Sequence, residues 1–312
     1  MWTAPGWVLA ALAVDAAVGY PPALHAHIPH PVVGLGRLIS FFDRHWNREQ
    51  LNFAERRTLG VIALFIVAAS AGVLGWLIQL ALPRSAWGQL GFALIASLGI
   101  AQRSLYEHVR EVAAPLESGR LPQARTAVAR IVGRDTAHLD ESGVAAAAIE
   151  SLAESYNDGV LAPTFWLLLG GLPGLFAYKA INTADSMIGH LEPRWRAFGW
   201  AAARVDDLLN LVPARIAGLL LAVRSVTGIR MMWRDAGKHA SPNAGWTEAA
   251  MAGALGVTLG GAATYEGVEH PRPFFGDGPR PSAMDLRRAL RLYINACALM
   301  WCLLAVGGLI RR

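Results

Sequence analysis

The feature that most constrains this chain is a set of long segments that carry no charged side chain. An apolar helix needs about 20 residues to cross about 30 Å of hydrocarbon. Only 16% of the 312 residues are charged, whereas about a quarter are charged in soluble domains. The sequence therefore predicts an all-α integral membrane protein. The charge-free segments are 59–82, 85–102, 159–178, 249–265 and 292–310.

These segments, with the apolar N-terminal segment 2–14, predict about five transmembrane helices. We interpret 2–14 as a retained helix, since it has no preceding basic residue and no small-residue cleavage pattern. Segment 249–265 is at the short limit for a span. Segment 159–178 contains a Gly-Gly-Leu-Pro-Gly break at 170–174, which predicts two half-helices in a re-entrant hairpin. Segment 205–227 carries charges in its first half, which predicts a helix that lines a cavity.

The longest polar stretch, 103–158, predicts cytoplasmic amphipathic helices inserted between two spans, with breaks at Pro115 and at 119–122. We expect 1–312 to form a single membrane-embedded catalytic unit. The net charge is +5 and the arginines are scattered. Scattered loop arginines fit anchoring at an anionic leaflet of a lipid bilayer, and the lack of one basic face excludes a nucleic-acid partner.

Clusters of acidic and amide side chains, with a few lysines and arginines, lie between the apolar segments. Carboxylate and amide oxygens are ligands that Mg²⁺ accepts together with substrate phosphates. Lys179, Arg204 and Arg215 are suited to anionic oxygens. The sequence has no Gly-x-Ser-x-Gly elbow and no Gly-x4-Gly-Lys-Ser/Thr loop. The clusters lie at 15–36, 150–159, 178–189, 203–215 and 241–248.

Each cluster also has a simpler interpretation. Glu150 and Glu154 share a helix face and can be merely solvated there. Lys179 follows an apolar segment and can be a snorkelling anchor. Asp206-Asp207 can stabilise a helix N-terminus. The glycines of 253–261 are typical of close helix packing.

Taken together and in this order, the clusters resemble the CobD/CbiB family of membrane-bound adenosylcobinamide-phosphate synthases in cobalamin biosynthesis. The resemblance runs from Asp15 to about Gly276. It is carried by YKAINTADSM at 178–187, SPNAG at 241–245, MAGALGV at 251–257 and RDT at 134–136. The chain departs from the family where Ser155 follows Glu154 in place of an asparagine, and where Ala184 replaces a common leucine.

The resemblance implies an ATP-dependent acid–amine ligase in a bacterial inner membrane, multi-pass, with its active site facing the cytoplasm. It would join adenosylcobyric acid to (R)-1-aminopropan-2-ol or its O-phosphate, with ATP as co-substrate, Mg²⁺ as cofactor and other cobalamin-pathway enzymes as possible partners. The implied catalytic residues are Glu150, Glu154, Asp158, Lys179 and Asp185. The implied substrate- or phosphate-binding residues are His30, Asn182, Thr183, Ser186, Arg204, Asn210, Arg215, Ser241 and Asn243. The candidate Mg²⁺ ligands are Glu150, Glu154, Asp185, Asp206, Asp207 and Glu248.

Two other functions compete with this one. A non-catalytic membrane sensor or regulator of the same fold would not need the full polar set. A corrinoid transporter would have charged residues at mid-span and pseudo-symmetric halves, and neither is evident in the sequence.

Overall fold

The computed structural model describes residues 4–21, 27 and 29–310, and this part of the chain is mainly helical. Its helices are α1 (Pro5–Ala17), α2 (Pro31–Trp46), α3 (Phe53–Ala81), α4 (Ala86–Ser97), α5 (Gln102–Glu117), α6 (Leu121–Val128), α7 (Glu141–Tyr156), a π-turn (Asn157–Leu161), α8 (Ala162–Ile188), α9 (Trp200–Ala222), α10 (Val226–Asp235), a 3₁₀ turn (Ala236–Lys238), α11 (Ala244–Leu255) and α12 (Ala283–Ile310). The strands are β1 (Leu259–Gly260), β2 (Ala263–Tyr265), β3 (Val268–His270) and β4 (Phe274–Phe275).

The residues group into two compact units. The first unit comprises Met1–Ala101, Ala162–Asn210 and Leu304–Arg312, and the second comprises Gln102–Leu161 and Leu211–Leu303. The single catalytic unit expected from the sequence stays a prediction.

The first unit is built on the packing of α3 against α8. Gly75 permits the closest approach, because a Cβ there would lie 2.7 Å from the backbone oxygen of Leu172. A buried apolar cluster that includes Ile39, Val67 and Phe198 joins these helices to α2. Gly75 therefore lets the backbones of α3 and α8 pack closely.

The chain folds back on itself within α8, at Gly171. This residue has φ 63° and ψ −152°, a conformation open mainly to glycine. A Cβ at Gly174 would lie 2.5 Å from the backbone oxygen of Trp166, although eight residues of straight helix would separate the two by about 12 Å. The predicted break is thus confirmed, with two half-helices packed on each other. Their re-entry into a membrane stays a prediction.

The second unit has α11 at its centre. Every residue of α11 except Trp246 and Ala254 is buried, and the helix packs on α7 and α10. Gly245 and Gly253 allow this packing: a Cβ at Gly245 would meet the Ala236 oxygen at 2.2 Å, and one at Gly253 would meet the Met231 Cβ at 2.7 Å.

The interpretation of 249–265 as an apolar segment of span length is wrong. Helix α11 ends at Leu255, because Gly256 takes a left-handed conformation with φ 71°, and short strands follow. Strand β1 pairs with β4 and β2 pairs with β3, both antiparallel. The segment is apolar on all sides because protein surrounds α11. The later glycines serve turns instead of helix packing, since Gly260 and Gly261 have φ of 78° and 88°.

Within the described residues, three helical segments are long and apolar enough to cross a membrane by length and composition alone: Phe53–Ala81, Glu141–Ile188 and Ala283–Ile310. The segment 85–102 forms the 12-residue α4, and 2–14 contributes to the 13-residue α1, with residues 1–3 outside the described part. The helical, membrane-protein character is therefore supported, while the number of spans stays a prediction.

The polar stretch 103–158 forms the helices α5, α6 and α7. The expected amphipathic pattern is wrong for α7, because residues 144–150 are all buried, and the cytoplasmic placement of the stretch stays a prediction. Pro115 does not break α5, which continues to Glu117. The break comes at Gly119, whose φ is 70°. A proline in the last turn of a helix removes only one backbone hydrogen bond, and the chain tolerates this loss.

Candidate functional site

A polar cavity of about 150 Å³ lies within the second unit. Its charged lining comes from α7, α11, the segment before α7 and the segment between β3 and β4. Tyr265 on β2 also contributes to the wall. We call this space the acidic cavity, and it is lined by Ile131, Val132, Gly133, Arg134, Ala147, Glu150, Ser151, Glu154, Glu248, Tyr265 and Arg272.

Glu150 is the most firmly held acid of the acidic cavity. Its Oε2 pairs with the guanidinium of Arg134 and, at 3.1 Å, with Nη1 of Arg272. Its Oε1 accepts the backbone N–H of Gly260 at 2.8 Å. Only 3% of Glu150 is exposed, so the solvated interpretation is wrong for this residue. Glu154, one turn later on α7, is exposed.

Gly260 is required at its position for two reasons. Its φ is 78°, and a Cβ there would lie 2.1 Å from the backbone oxygen of Pro273. The β1–β4 pairing therefore brings the Gly260 N–H to Glu150, and Pro273 follows Arg272 directly in the chain.

Glu248 lies on α11 and is 1% exposed. Its Oε2 has no hydrogen-bond partner among the described residues and lies 3.7 Å from Nη2 of Arg272. Burial raises the pKa of Glu248 well above its usual range, and the negative charges of Glu150 and Glu154 raise it further, against the opposing effect of Arg272. A buried carboxyl with an elevated pKa is a group that can exchange a proton near neutral pH.

His239 lies beside Glu248, with Nε2 3.6 Å from Oε1 of Glu248. Its Nδ1 accepts the backbone N–H of Ser241 at 2.9 Å, so Nε2 carries the proton of the neutral ring. Burial lowers the pKa of His239, and the charge of Arg272 lowers it further. The imidazole therefore stays neutral at pH 7.

An ion-pair cluster next to the acidic cavity anchors the end of β4. Asp235 is fully buried, receives hydrogen bonds from both Arg234 and the Gly276 N–H, and pairs with Lys238 at 2.7 Å. Burial alone would raise the pKa of Asp235, but these contacts lower it overall. Arg234 also bonds Asp277. The cluster therefore ties α10 to β4, the strand that lies between Arg272 and Gly276 in the chain.

The first unit holds a second polar group, on α8 and α9. Asp206 accepts from the amide of Asn182 at 3.3 Å and from that of Asn210 at 3.0 Å. Tyr178 donates to Asn210 at 3.1 Å. Lys179 Nζ lies 3.4 Å from Oδ1 of Asn182. Four of the predicted residues thus come together in what we call the amide network.

Lys179 and His30 also border an apolar cavity of about 310 Å³ in the first unit. Its remaining walls come from α2, α3, α8 and the end of α4. His30 starts α2 by accepting the Val32 N–H at its Nδ1, 3.2 Å away, and it contacts the Tyr20 ring edge-on. A structural role for His30 is therefore visible, and its substrate contact stays a prediction.

Several other predicted residues make local contacts. Thr183 and Ser186 donate to the carbonyls of Lys179 and Asn182 one turn earlier in α8. Half-buried Asp185 lies between them on the same helix. Arg204 pairs with Asp207 at 3.4 Å. Helix α9 begins at Trp200, so Asp206-Asp207 are not at its N-terminus.

The predicted residues Ser241, Asn243 and Arg215 meet in the second unit. The hydroxyl oxygen of Ser241 accepts the backbone N–H groups of Asn243 and Ala244 at the start of α11. Arg215 donates to the Asn243 side chain at 3.3 Å and lies over the Trp246 ring. Asp158 accepts from Asn157 at 2.7 Å in the π-turn. The SPNAG segment therefore starts the helix that places Glu248.

Three residues of the acidic-cavity region were missed as site residues: Arg134, His239 and Arg272. Arg134 lies in the RDT motif at 134–136, so this motif could have identified Arg134 as a site residue. Arg272 lies between two prolines outside the quoted motifs, so only the folded chain brings it to Glu150.

The acidic cavity does not fit a Mg²⁺ site. Both oxygens of Glu150 are already bonded, and two guanidinium groups lie against the acids. In the described ranges, no three His, Cys, Asp or Glu side chains come together in a way that could hold a metal ion. Mg²⁺ can, however, bind through one or two protein oxygens plus substrate phosphates. Asp206 and the Asn182 amide, beside Lys179, are a donor set of that kind.

Comparison with known proteins identifies the family of this chain. The family model described as CobD/Cbib protein matches residues 8–293. The chain belongs to the CobD/CbiB family. Relatives in the family named cobalamin biosynthesis protein CobD include one from Rhodobacter capsulatus, 47% identical with 93% of each chain covered. Others come from Brucella anthropi, 45% identical with 96% of this chain and 95% of the relative covered, and from Sinorhizobium sp, 44% identical with 93% and 94% covered. No solved structure matches the chain.

Proposed function

We propose that this protein is a cobalamin biosynthesis enzyme that forms an amide bond. The free carboxylate of adenosylcobyric acid would be joined to (R)-1-aminopropan-2-ol or its O-phosphate, with ATP consumed. Membership in a family of cobalamin biosynthesis proteins gives the pathway. The observation that carries the chemistry is Glu248, a buried carboxylate with one oxygen lacking a hydrogen bond inside a polar cavity.

A carboxylate and an ammonium do not condense unaided in water. In the proposed reaction the substrate carboxylate oxygen attacks the γ-phosphorus of ATP, and ADP leaves. The amine nitrogen then attacks the acyl carbon, the bond to the phosphate oxygen breaks, and inorganic phosphate leaves. The ammonium must lose one proton before the attack and a second as the amide forms.

Glu248 is our candidate for the group that takes a proton from the ammonium. Its raised pKa brings it closer to the basicity of an amine, which makes the transfer less unfavourable. Glu150 is already bonded by Arg134, Arg272 and Gly260, so we assign it the role of holding the two arginines in place.

Lys179 and Arg204 are candidates for binding phosphate oxygens, and Asp206, Asn182 and Asp185 are candidates for holding Mg²⁺. A bound Mg²⁺ would neutralise phosphate charge. Within the chain itself, the amides of Asn182 and Asn210 hold the Asp206 carboxylate, and Asn182 also accepts from Lys179.

Reconstitution of the purified protein in lipid vesicles tests the reaction. The vesicles receive adenosylcobyric acid, aminopropanol or its O-phosphate, Mg²⁺ and ATP, and the corrinoid product is identified by mass. We expect a product that has gained the amine and lost one water. We expect Lys179→Ala and Asp185→Ala to reduce its formation at least about 100-fold, the scale of loss for groups acting on the transition state.

Replacement of the exposed Arg224 by alanine is the control for these variants, since Arg224 lines neither cavity. Folded wild-type protein that forms no amide in any of these mixtures would contradict the enzyme proposal and favour the non-catalytic sensor. If the protein forms as much product without ATP as with it, the proposed activation step is contradicted.

A further inference from the structure

The apolar cavity of the first unit has a mainly hydrocarbon wall. Leu35 of α2, Val67 and Leu74 of α3 and Phe176 of α8 all line it. Its volume of about 310 Å³ lies at the lower end of the range for small-molecule sites, about 300–1,000 Å³. A water molecule needs several polar partners, and this wall offers few. A hydrocarbon group gains dispersion contacts with the whole wall, so the cavity favours an apolar ligand.

The cavity opens between α2 and α3. Four of its described lining residues are exposed: Pro31 and Gly34 on α2, and Ser70 and Leu74 on α3. Leu77, one turn further along α3, is exposed as well. Helix α3 is one of the three segments that could cross a membrane, and an exposed apolar face of such a helix faces acyl chains in a bilayer. The opening would therefore adjoin lipid.

Gly34 leaves space at this opening. It lies in the first turn of α2 without a positive φ, and a Cβ there would meet nothing within 4 Å. Glycine weakens a helix, and neither the backbone conformation nor close packing requires it at this position. The space beside Gly34 is thus available to a ligand.

Lys179 supplies a positive charge to the wall of the apolar cavity. Its Nζ also lies 3.4 Å from Oδ1 of Asn182. No acidic side chain is among the described residues that line the cavity. An ammonium binds phosphate oxygens as a point charge. The cavity therefore combines an apolar wall with a cation, and this combination is complementary to an anionic amphiphile.

We propose that the apolar cavity binds an anionic phospholipid, with one acyl chain inside the cavity and the phosphate group at Lys179. The chain reaches the bilayer through the opening between α2 and α3. A phosphate without a hydrocarbon chain would make no use of the apolar wall, and a neutral lipid would make no use of the charge on Lys179. Lipid binding at this site is independent of the proposed amide formation.

Native mass spectrometry of the full chain, released from detergent with added lipid, measures the binding. Lys179 is also our candidate for binding substrate phosphate, so ATP and corrinoid are left out. The probes are phosphatidylglycerol, which is anionic, and phosphatidylcholine with the same acyl chains. We expect wild type to prefer phosphatidylglycerol by about fivefold, the scale for one lysine near an anionic headgroup. Lys179→Met should bind both lipids equally, and inorganic phosphate should not displace phosphatidylglycerol from wild type.

Gly34→Phe places a ring in the opening and tests the acyl-chain site. We expect it to weaken phosphatidylglycerol binding at least about tenfold, since exclusion of about two methylene groups from an apolar site corresponds to that factor. Gly6→Phe is the matched control and should bind as wild type does. Gly6 is an exposed residue of α1 outside the cavity lining, and a Cβ there would also meet nothing within 4 Å.

Ser70→Leu narrows the same opening from α3. Ser70 is exposed, so this variant keeps the test valid even where Gly34→Phe fails to fold. Equal affinity of wild type, Gly34→Phe and Ser70→Leu for phosphatidylglycerol would overturn the proposal. Equal affinity of wild type for the two lipids, or displacement of phosphatidylglycerol by inorganic phosphate, would also overturn it.

The vesicle assay separates the lipid site from the proposed function. Phosphatidylglycerol binding that Gly34→Phe weakens and Gly6→Phe does not, together with no amide formed by wild type, would uphold the lipid site and contradict the function. Amide formation by wild type, with the same lipid affinity in all these variants, would overturn the lipid site and leave the function standing.

Discussion

Glu150 and Glu248 show how neighbouring acids in one cavity can differ. Glu150 receives hydrogen bonds on both oxygens, whereas Glu248 has an oxygen without a donor. The sequence places both residues in polar clusters but does not distinguish them, because the difference depends on Arg272. That arginine reaches the acids only through the pairing of β1 with β4.

The stability of Glu248→Gln should depend on pH differently from that of the wild type. The folded-state pKa of Glu248 is raised, so its neutral form stabilises the fold fully below the unfolded pKa of about 4.3. That contribution is lost as pH rises toward the folded pKa. The glutamine side chain of the variant does not titrate, so the free energy of unfolding of the variant should increase relative to that of wild type as pH rises above about 4.3.

Thermal unfolding in detergent at increasing pH measures the effect, with replacement of the exposed Glu269 by glutamine as control. A difference between Glu248→Gln and wild type that stays constant, or that shrinks as pH rises, would show that Glu248 is not a carboxyl with a raised pKa.

Arg272→Leu should be strongly destabilising, again for a reason at the level of one residue. Arg272 contacts Glu150 at 3.1 Å and lies 3.7 Å from Glu248, and removal of one partner of a buried ion pair costs about 3–5 kcal/mol. Thermal unfolding of Arg272→Leu beside the exposed Arg224→Leu measures the cost. Equal unfolding temperatures for the two variants would contradict the burial of this contact.

At the scale of elements, the sequence predicts a helix break correctly where the residues at the break, such as glycine and proline, cause it directly. The Gly-Pro break at 170–174 predicts the fold-back within α8, since Gly171 takes a positive φ and Pro173 cannot continue the backbone ladder. By contrast, the sequence wrongly predicts α11 as part of an apolar segment of span length. Composition alone does not distinguish a helix surrounded by protein from one surrounded by lipid.

Gly171→Ala tests the fold-back, with Gly170→Ala as the neighbouring control. Gly171 has φ 63°, and a Cβ there would lie 2.3 Å from the Gln79 side chain, whereas a Cβ at Gly170 meets nothing within 4 Å. The left-handed conformation costs an L-residue about 1–2 kcal/mol, so Gly171→Ala should lower the unfolding temperature by clearly more than Gly170→Ala. Equal effects would contradict the fold-back.

For the whole molecule, the apolar segments correctly predict a mainly helical chain with helices of membrane-spanning length. The division into two compact units was not predicted. Each unit draws on separate stretches of the chain, and no linker of distinctive composition marks where one stretch ends. The candidate residues were predicted by motif; the contacts that define the acidic cavity and the amide network were not, because they join residues far apart in sequence.

The most direct test of this account is the cobalamin content of a bacterium that lacks its own CobD/CbiB protein and carries this chain in its place. Wild type and Glu269→Ala should restore cobalamin synthesis, and Glu248→Ala should not, with equal amounts of all three proteins in the membrane fraction. Full restoration by Glu248→Ala would contradict the assignment of the acidic cavity as the functional centre.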